Sequence, residues 1–205
     1  VRIIKVPGLW DGWDMAACSS QQALYITSWH TRHIHRVGRD NAVTSWTIPH
    51  QPYGLSVDSS SCSVIVTYWY NSSIQEFSDT GRPSPLIQLN ISFPHDSVRL
   101  SDGHYVVSHG KGEGGVVLIN GSGHVLQSDS GYTESRSSRL VNPFSLAVSE
   151  AGFILVTDWD NKRVVLLDPT LHYIRDLLSR DHGLDRPISV ALDEGRGLLY
   201  VGEYN

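Results

Sequence analysis

Three of the ten histidines, His30, His33 and His35, fall in the short run HTRHIH, and metal ligation is the first chemistry to weigh. In an extended strand His33 and His35 project to one face and offer two imidazole ligands. No carboxylate or thiolate stands at a matching spacing, so these histidines read as surface residues. His95 and Asp96 form an adjacent pair at the start of another apolar run and are kept as the alternative metal ligands. The glycine cluster GKGEGG at positions 110–115 lacks the Ser or Thr that follows lysine in a phosphate loop, and no helix follows it; it reads as a turn. No G-x-S-x-G elbow occurs, and Ser108-His109-Gly110 closes a strand-like run. The residues alone therefore call for no cofactor and no catalytic group.

The aromatics make a stronger pattern. LYITSW (Leu24 to Trp29), VIVTYW (Val64 to Trp69), ILVTDW (Ile154 to Trp159) and LYVGEY (Leu199 to Tyr204) are copies of one element, and YVVSHG (Tyr105 to Gly110) is a fifth copy with glycine in place of the aromatic. Their spacing of roughly 40 to 49 residues is that of propeller blades. Each unit holds about four short runs rich in β-branched and aromatic residues, separated by Gly, Asn, Asp and Ser. YIRDLLSR alone also admits a helical reading.

The expectation is an all-β protein, a β-propeller of about five four-stranded blades filling residues 1–205 as one domain. The units are approximately 7–48, 49–90, 91–130, 140–180 and 184–205 plus 1–6. Only two runs follow residue 184, so the last blade is either incomplete or closed by the N-terminal strand RIIKV. The turns after the repeated runs share the face that carries the connections between blades. That face is the expected partner-binding surface, with Trp29, Trp69, Trp159 and Tyr204 as an interrupted ring joined by His30, Arg32, Tyr70, Lys111, Lys162 and Arg163. Packing of each indole on the next blade is the competing role.

Composition sets the outer bounds. With 40% apolar and 18% charged residues the chain is globular, and its net charge of −5 counts against a dedicated nucleic-acid binder. No apolar run approaches the length of a membrane span, so no membrane insertion is expected, and the opening residues do not form a signal peptide. The chain starts without methionine, which suggests a piece of something longer. Two cysteines, Cys18 and Cys62, are too few for a disulfide framework, and buried free thiols in the cytoplasm are expected. Sequons at Asn71, Asn90 and Asn120 keep a secreted, glycosylated alternative open.

Within the fourth unit, PFSLAVSEAGFILVTDWDNKRVVLLDP (Pro143 to Pro169) resembles an NHL repeat, and RPISVALDEGRGLLYVGEYN shares the look. The likeness is to the NHL propellers of tripartite-motif proteins and covers the chain as a repeat. Only the fourth unit carries the full set of Asp158, Asn161 and Arg163, which read as a turn-stabilising network. Ser28, Thr31 and His33 stand there in the first unit, and Tyr68, Asn71 and Ser73 in the second. NHL propellers of this kind usually have six blades, so five units are a departure.

The resemblance implies a non-catalytic module that recognises a protein or peptide, with a RING domain and coiled coil elsewhere in a parent that can be oligomeric. It also implies an RNA-binding alternative, with bases on the aromatics and phosphates on Arg32, Lys111, Lys162 and Arg163. A third alternative comes from amidating lyases of this fold, which bind zinc through channel histidines. Here the matching positions in the other units are Asp14, Gly54, Ser145 and Ser189, none of them histidine.

Overall fold

The computed structural model describes residues 5–58, 60–110, 114–129 and 139–204. Lys111 and most of RIIKV lie outside them. Blade 1 comprises β1 (Gly12–Cys18), β2 (Ala23–Ser28), β3 (His33–Val37) and β4 (Val43–Thr47). Blade 2 comprises β5 (Gly54–Val57), β6 (Val64–Tyr68), β7 (Ser73–Phe77) and β8 (Ile87–Gln88). Blade 3 comprises β9 (Pro94–Arg99), β10 (Tyr105–His109), β11 (Gly115–Ile119) and β12 (Val125–Asp129). Blade 4 comprises β13 (Pro143–Val148), β14 (Ile154–Asp158), β15 (Arg163–Leu167) and β16 (Tyr173–Leu178). β17 (Pro187–Asp193) and β18 (Leu198–Glu203) make blade 5. The first four sheets are four-stranded antiparallel meanders and the last has two strands. Lys5 and Val6 lie in no strand, and the last blade is incomplete among the described residues. YIRDLL is a strand, followed by a single 3-10 turn at Arg180–His182.

The apolar alternation of the sequence is used on both sides of each sheet, because every interior blade is covered by two neighbours. VIVTY of β6 is accordingly buried at all of its positions. Ala16, Ala23 and Tyr25 of blade 1 pack on Leu55, Val57, Val64 and Val66 of blade 2. Ile65 and Ile74 of blade 2 meet Tyr105 and Val107 of blade 3. Val98 and Val106 meet Leu146, Ile154 and Val156, and Ala147 and Leu155 meet Val190, Leu199 and Val201. Each such aliphatic side chain contributes about 1.5–3 kcal/mol of transfer free energy. The inner strands follow one another as β1, β5, β9, β13 and β17, and no comparable packing returns from β17 to β1 among the described residues.

Polar clasps lock the inner strands together. Leu55 N–H donates to Asp14 Oδ2 at 2.8 Å, Leu146 N–H to Asp96 Oδ2 at 2.9 Å, and Val190 N–H to Ser145 Oγ at 3.4 Å. Between blades 2 and 3 the matching residue is Gly54, where a Cβ would lie 2.9 Å from Asp96 Cα. Glycine allows the two backbones to approach directly.

The two cysteines correct the expectation of free thiols. The end of β1 and the turn before β6 meet between blades 1 and 2, and Cys18 and Cys62 form a disulfide there with their Cα atoms 5.8 Å apart. Sequence spacing alone does not reveal which turns of adjacent blades touch. No helix among the described residues is long and apolar enough to cross a membrane.

Candidate recognition face

The turns after β2, β6 and β14 have one shape. Their last residues, Arg32, Ser72 and Lys162, all take left-handed φ of 46–54°, an uncommon conformation for residues other than glycine. This leaves the first turn residue, Trp29, Trp69 or Trp159, at the same place at the end of its blade. All three indoles are half-buried, whereas Tyr70 and Tyr204 are 66% and 54% exposed.

A second set of aromatics, missed in the sequence reading, joins them. In β1, β9, β13 and β17 the pairing shifts by one residue near the start of the inner strand. Such a bulge turns the extra side chain out of the ladder. The residues beside the Asp14, Gly54, Asp96 and Ser145 positions are Trp13, Tyr53, His95 and Phe144. Each of these is aromatic or an imidazole.

Together the two sets form a continuous pavement. Trp13 lies 4.8 Å from Trp29 and 5.6 Å from Tyr53, measured between ring centroids. Tyr53 stacks on Trp69 at 5.8 Å and lies 6.2 Å from Phe144. Trp69 meets Tyr70 at 4.6 Å and Phe93 at 4.7 Å. Phe144 continues to Trp159 at 5.4 Å, and Trp159 to Tyr204 at 5.2 Å. Each ring packs on its neighbours, while Trp13, Tyr70 and Tyr204 keep more than half of their surface exposed.

The expected cations are mostly committed. Lys162 forms an ion pair with Asp185, and Arg32 donates to the Pro49 carbonyl at 3.2 Å. His30 is exposed, with its backbone N–H and Nδ1 both on Asp11 Oδ2. Arg186, not singled out beforehand, sits 5.6 Å over the Tyr204 ring.

Arg163 is only 5% exposed and lies under the face rather than on it. Its Nε donates to Asp158 Oδ2 at 3.1 Å, Nη1 to Asp176 at 3.2 Å and Nη2 to the Arg139 carbonyl at 2.7 Å. Asn161 Nδ2 donates to the same Asp158 oxygen at 2.7 Å. Asp158 Oδ1 accepts from the N–H groups of Val141 and Asn142. These three residues hold the β14–β15 turn to the segment that leads into β13. In blade 1 Thr31 Oγ1 donates to Ser28 Oγ and Ser28 donates to Asp11, which brings the carboxylate from a different segment.

His95 is buried, stacks on Phe144 at 4.5 Å and bonds through Nδ1 to the Pro143 carbonyl at 2.6 Å. Burial pushes its pKa down to about 4, so the ring is neutral, with Nδ1–H as donor. Asp96 is occupied by the N–H groups of Ser97 and Leu146 and by the Ser145 hydroxyl. Among the described residues no group of three or more His, Cys, Asp or Glu side chains could hold a metal ion. His33 and His35 do share a face, with rings 6.1 Å apart. Contrary to the surface expectation, His35 is buried, and neither ring nitrogen has a hydrogen-bond partner.

No family model matches the chain. A stretch of 97 residues, 47% of the chain, is 31% identical to the human E3 ubiquitin-protein ligase TRIM56 and spans 12% of that protein. Among solved structures, a streptogramin B lyase aligns over 93% of this chain and 61% of its own at a TM-score of 0.68 and 14% identity. A nidogen/laminin complex aligns over 91% of this chain and 70% of its own at a TM-score of 0.71 and 14% identity. At these identities the likenesses establish the propeller fold alone.

Proposed function

We propose that this propeller is a recognition module for a protein or peptide, which docks on the aromatic pavement, and that the module serves a tripartite-motif-like ubiquitin ligase in the cytoplasm. The observation that carries the reading is the unbroken run of rings from Trp13 through Tyr53, Phe144 and Trp159 to Tyr204, which joins blades 1, 2, 4 and 5. Large, stiff rings bury much area at low entropic cost and dominate binding hot spots. The partial likeness to TRIM56 supports the ligase setting. The tied-up basic groups favour protein over RNA, since Lys162, Arg32 and Arg163 already have partners.

Selection from a displayed peptide library tests the reading. Ligands are expected to lose roughly 30-fold or more in affinity on Tyr70→Ala or Tyr204→Ala, as hot-spot residues do, with thermal stability unchanged. Ligands indifferent to both substitutions would place recognition elsewhere. Salt-sensitive capture of a randomised RNA pool, lost in the same variants, would replace the protein partner by RNA.

The Cys18–Cys62 disulfide supports a second reading, an extracellular recognition propeller. Asn71 and Asn90 are exposed, whereas Asn120 Oδ1 is engaged by the N–H groups of Ser122 and His124. This reading expects glycans at Asn71 or Asn90, seen as a mass loss on amidase treatment of protein from the native source. An unglycosylated chain removes its support.

A further inference from the structure

Between the β2–β3 turn of blade 1 and the β6–β7 turn of blade 2 lies a cleft of about 320 Å³, lined by His30, Arg32, Pro49, His50, Gln51 and Asn71. The set is rich in hydrogen-bond donors and contains no carboxylate. Two of these residues directly follow rings of the pavement. His30 comes after Trp29 and Asn71 after Tyr70, and those two rings stand 6.1 Å apart. The cleft therefore lies beside the rings, within reach of the same ligand.

Arg32 differs from the other described Lys and Arg residues of this face in how it is held. Lys162 and Arg186 are paired with Asp185, and Arg163 with Asp158 and Asp176. Arg32 instead donates Nη1 to the neutral Pro49 carbonyl at 3.2 Å, and among the described residues no carboxylate forms an ion pair with it. That bond fixes the guanidinium without balancing its charge, and uses one of five donors. Its backbone is fixed as well, since Ile48 N–H donates to the Arg32 carbonyl at 2.9 Å. The opposite wall is equally held. Gln88 Nε2 donates to the Asn71 and Ser72 carbonyls at 2.9 Å, and the His50 ring stands edge-on to buried Tyr68 at 5.3 Å. Asp11 is committed to His30 and Ser28, so the positive charge offered to a ligand is that of Arg32.

We propose that this cleft takes the carboxylate of an Asp or Glu side chain of the docked peptide, with Arg32 as its ion partner and the Gln51 and Asn71 amides as further donors. The inference rests on the reading that a peptide docks on the pavement, and adds what that peptide must contain. A guanidinium matches a carboxylate in geometry as well as in charge, and one held in place beforehand loses less freedom on pairing. In an extended chain, side chains two residues apart lie on one side, roughly 7 Å from each other. The acidic residue is therefore expected about two positions from the residue seated on Trp29 and Tyr70. Asn71 must be bare, because a glycan on a residue that lines the cleft would obstruct it.

Selection of unglycosylated protein against two displayed peptide libraries tests this, one random and one lacking Asp and Glu. Ligands that are lost on Tyr70→Ala should come from the random library, enriched in an acidic residue, and few or none from the acid-free one. A selected peptide, synthesised with its C-terminus amidated so that a side chain supplies the carboxylate, should lose about tenfold or more in affinity when its acidic residue is replaced by the matching amide. Arg32→Gln should cost as much, and the two changes together no more than either alone. Gln51→Glu, at an exposed position, should weaken the acidic peptide, spare its amide analogue and leave the melting temperature unchanged. Tyr70-dependent ligands that arise equally from the acid-free library, or that bind Arg32→Gln and Gln51→Glu as they bind wild type, overturn the cleft assignment and leave docking on the pavement standing. Ligands indifferent to both Tyr70 and Tyr204 overturn docking itself and the cleft assignment with it. A glycan at Asn71 in protein from the native source overturns the assignment as well.

Discussion

Asp158→Ala should lower the unfolding free energy by about 3–5 kcal/mol, the range for breaking a buried ion pair from one side. Asp158 is fully buried, and its two oxygens take hydrogen bonds from Val141, Asn142, Asn161 and Arg163. Alanine takes one of two carboxylates, the buried one, from a guanidinium that is itself 6% exposed in its side chain and leaves two backbone donors without acceptors. Asp176, the second carboxylate on Arg163, is 35% exposed and cannot replace it. Urea titration should show a fall in midpoint far larger than that of Asp176→Ala, which disturbs only a solvated pair. Replacing both members, as in Asp158→Leu with Arg163→Met, should recover part of the loss because no buried charge remains uncompensated. A single Asp158→Ala variant as stable as wild type would show that the turn is held by its backbone alone.

Asp96→Asn should become progressively more stable relative to wild type as pH rises from about 4 to about 7. The gain should reach up to about 4 kcal/mol, because each tenfold difference in proton affinity between the folded and unfolded chains is worth about 1.36 kcal/mol. Burial, with the Asp14 charge adding to it, raises the Asp96 carboxyl to about 7, despite the hydrogen bonds from Leu146, Ser97 and Ser145. Its folded pKa therefore lies above its unfolded one. The folded state holds the extra proton between those values, and stability present below the unfolded pKa is lost as pH rises through the folded one. Asparagine is neutral throughout and escapes that loss. It introduces an NH2 group opposite a backbone donor, a cost that does not vary with pH.

The comparison must be between variants. Asp14, raised to about 6 by burial, acts in the same direction as Asp96. His95, lowered to about 4 by burial, acts in the opposite direction over about pH 4 to 6.5, and His109 is held down by burial too. The wild-type profile thus contains opposing slopes. Equilibrium unfolding of both proteins at several pH values isolates the Asp96 contribution, and a difference that stays flat would mean that the carboxyl titrates normally.

The arc of blades was legible because its signal is repeated. LYITSW, VIVTYW and ILVTDW place the same β-branched run before the same tryptophan, and packing between neighbouring sheets demands that pattern at every junction. The outer rings of the face were legible for the same reason. The inner rings were not, because Trp13 and Phe144 sit where the inner strand departs from its period of two and Tyr53 just precedes its strand. An alignment anchored on Asp14, Gly54, Asp96 and Ser145 looks one residue away, at the side chains that turn toward the next blade. The signal available was the adjacent column, Trp13, Tyr53, His95 and Phe144. The disulfide and the burial of His35 depend on which loops fold over which sheets, a long-range fact that local pattern does not carry. β8 is short for a local reason, since Pro83 and Pro85 deny the outer edge of blade 2 two ladder donors.

The succession of inner strands without a return contact has a consequence for cooperativity. Every blade is stabilised by its own sheet and by at most two neighbours, so the molecule behaves as a one-dimensional series of coupled units. Among the described residues, blades 2, 3 and 4 each pack on two neighbours, while blades 1 and 5 pack on one. Within the described residues the weakest coupling is at blade 5, where two strands make the sheet and the disulfide ties blades 1 and 2 instead. Tyr204, the last ring of the pavement, rides on that blade, so its position relative to Trp159 is set by the weakest link of the series.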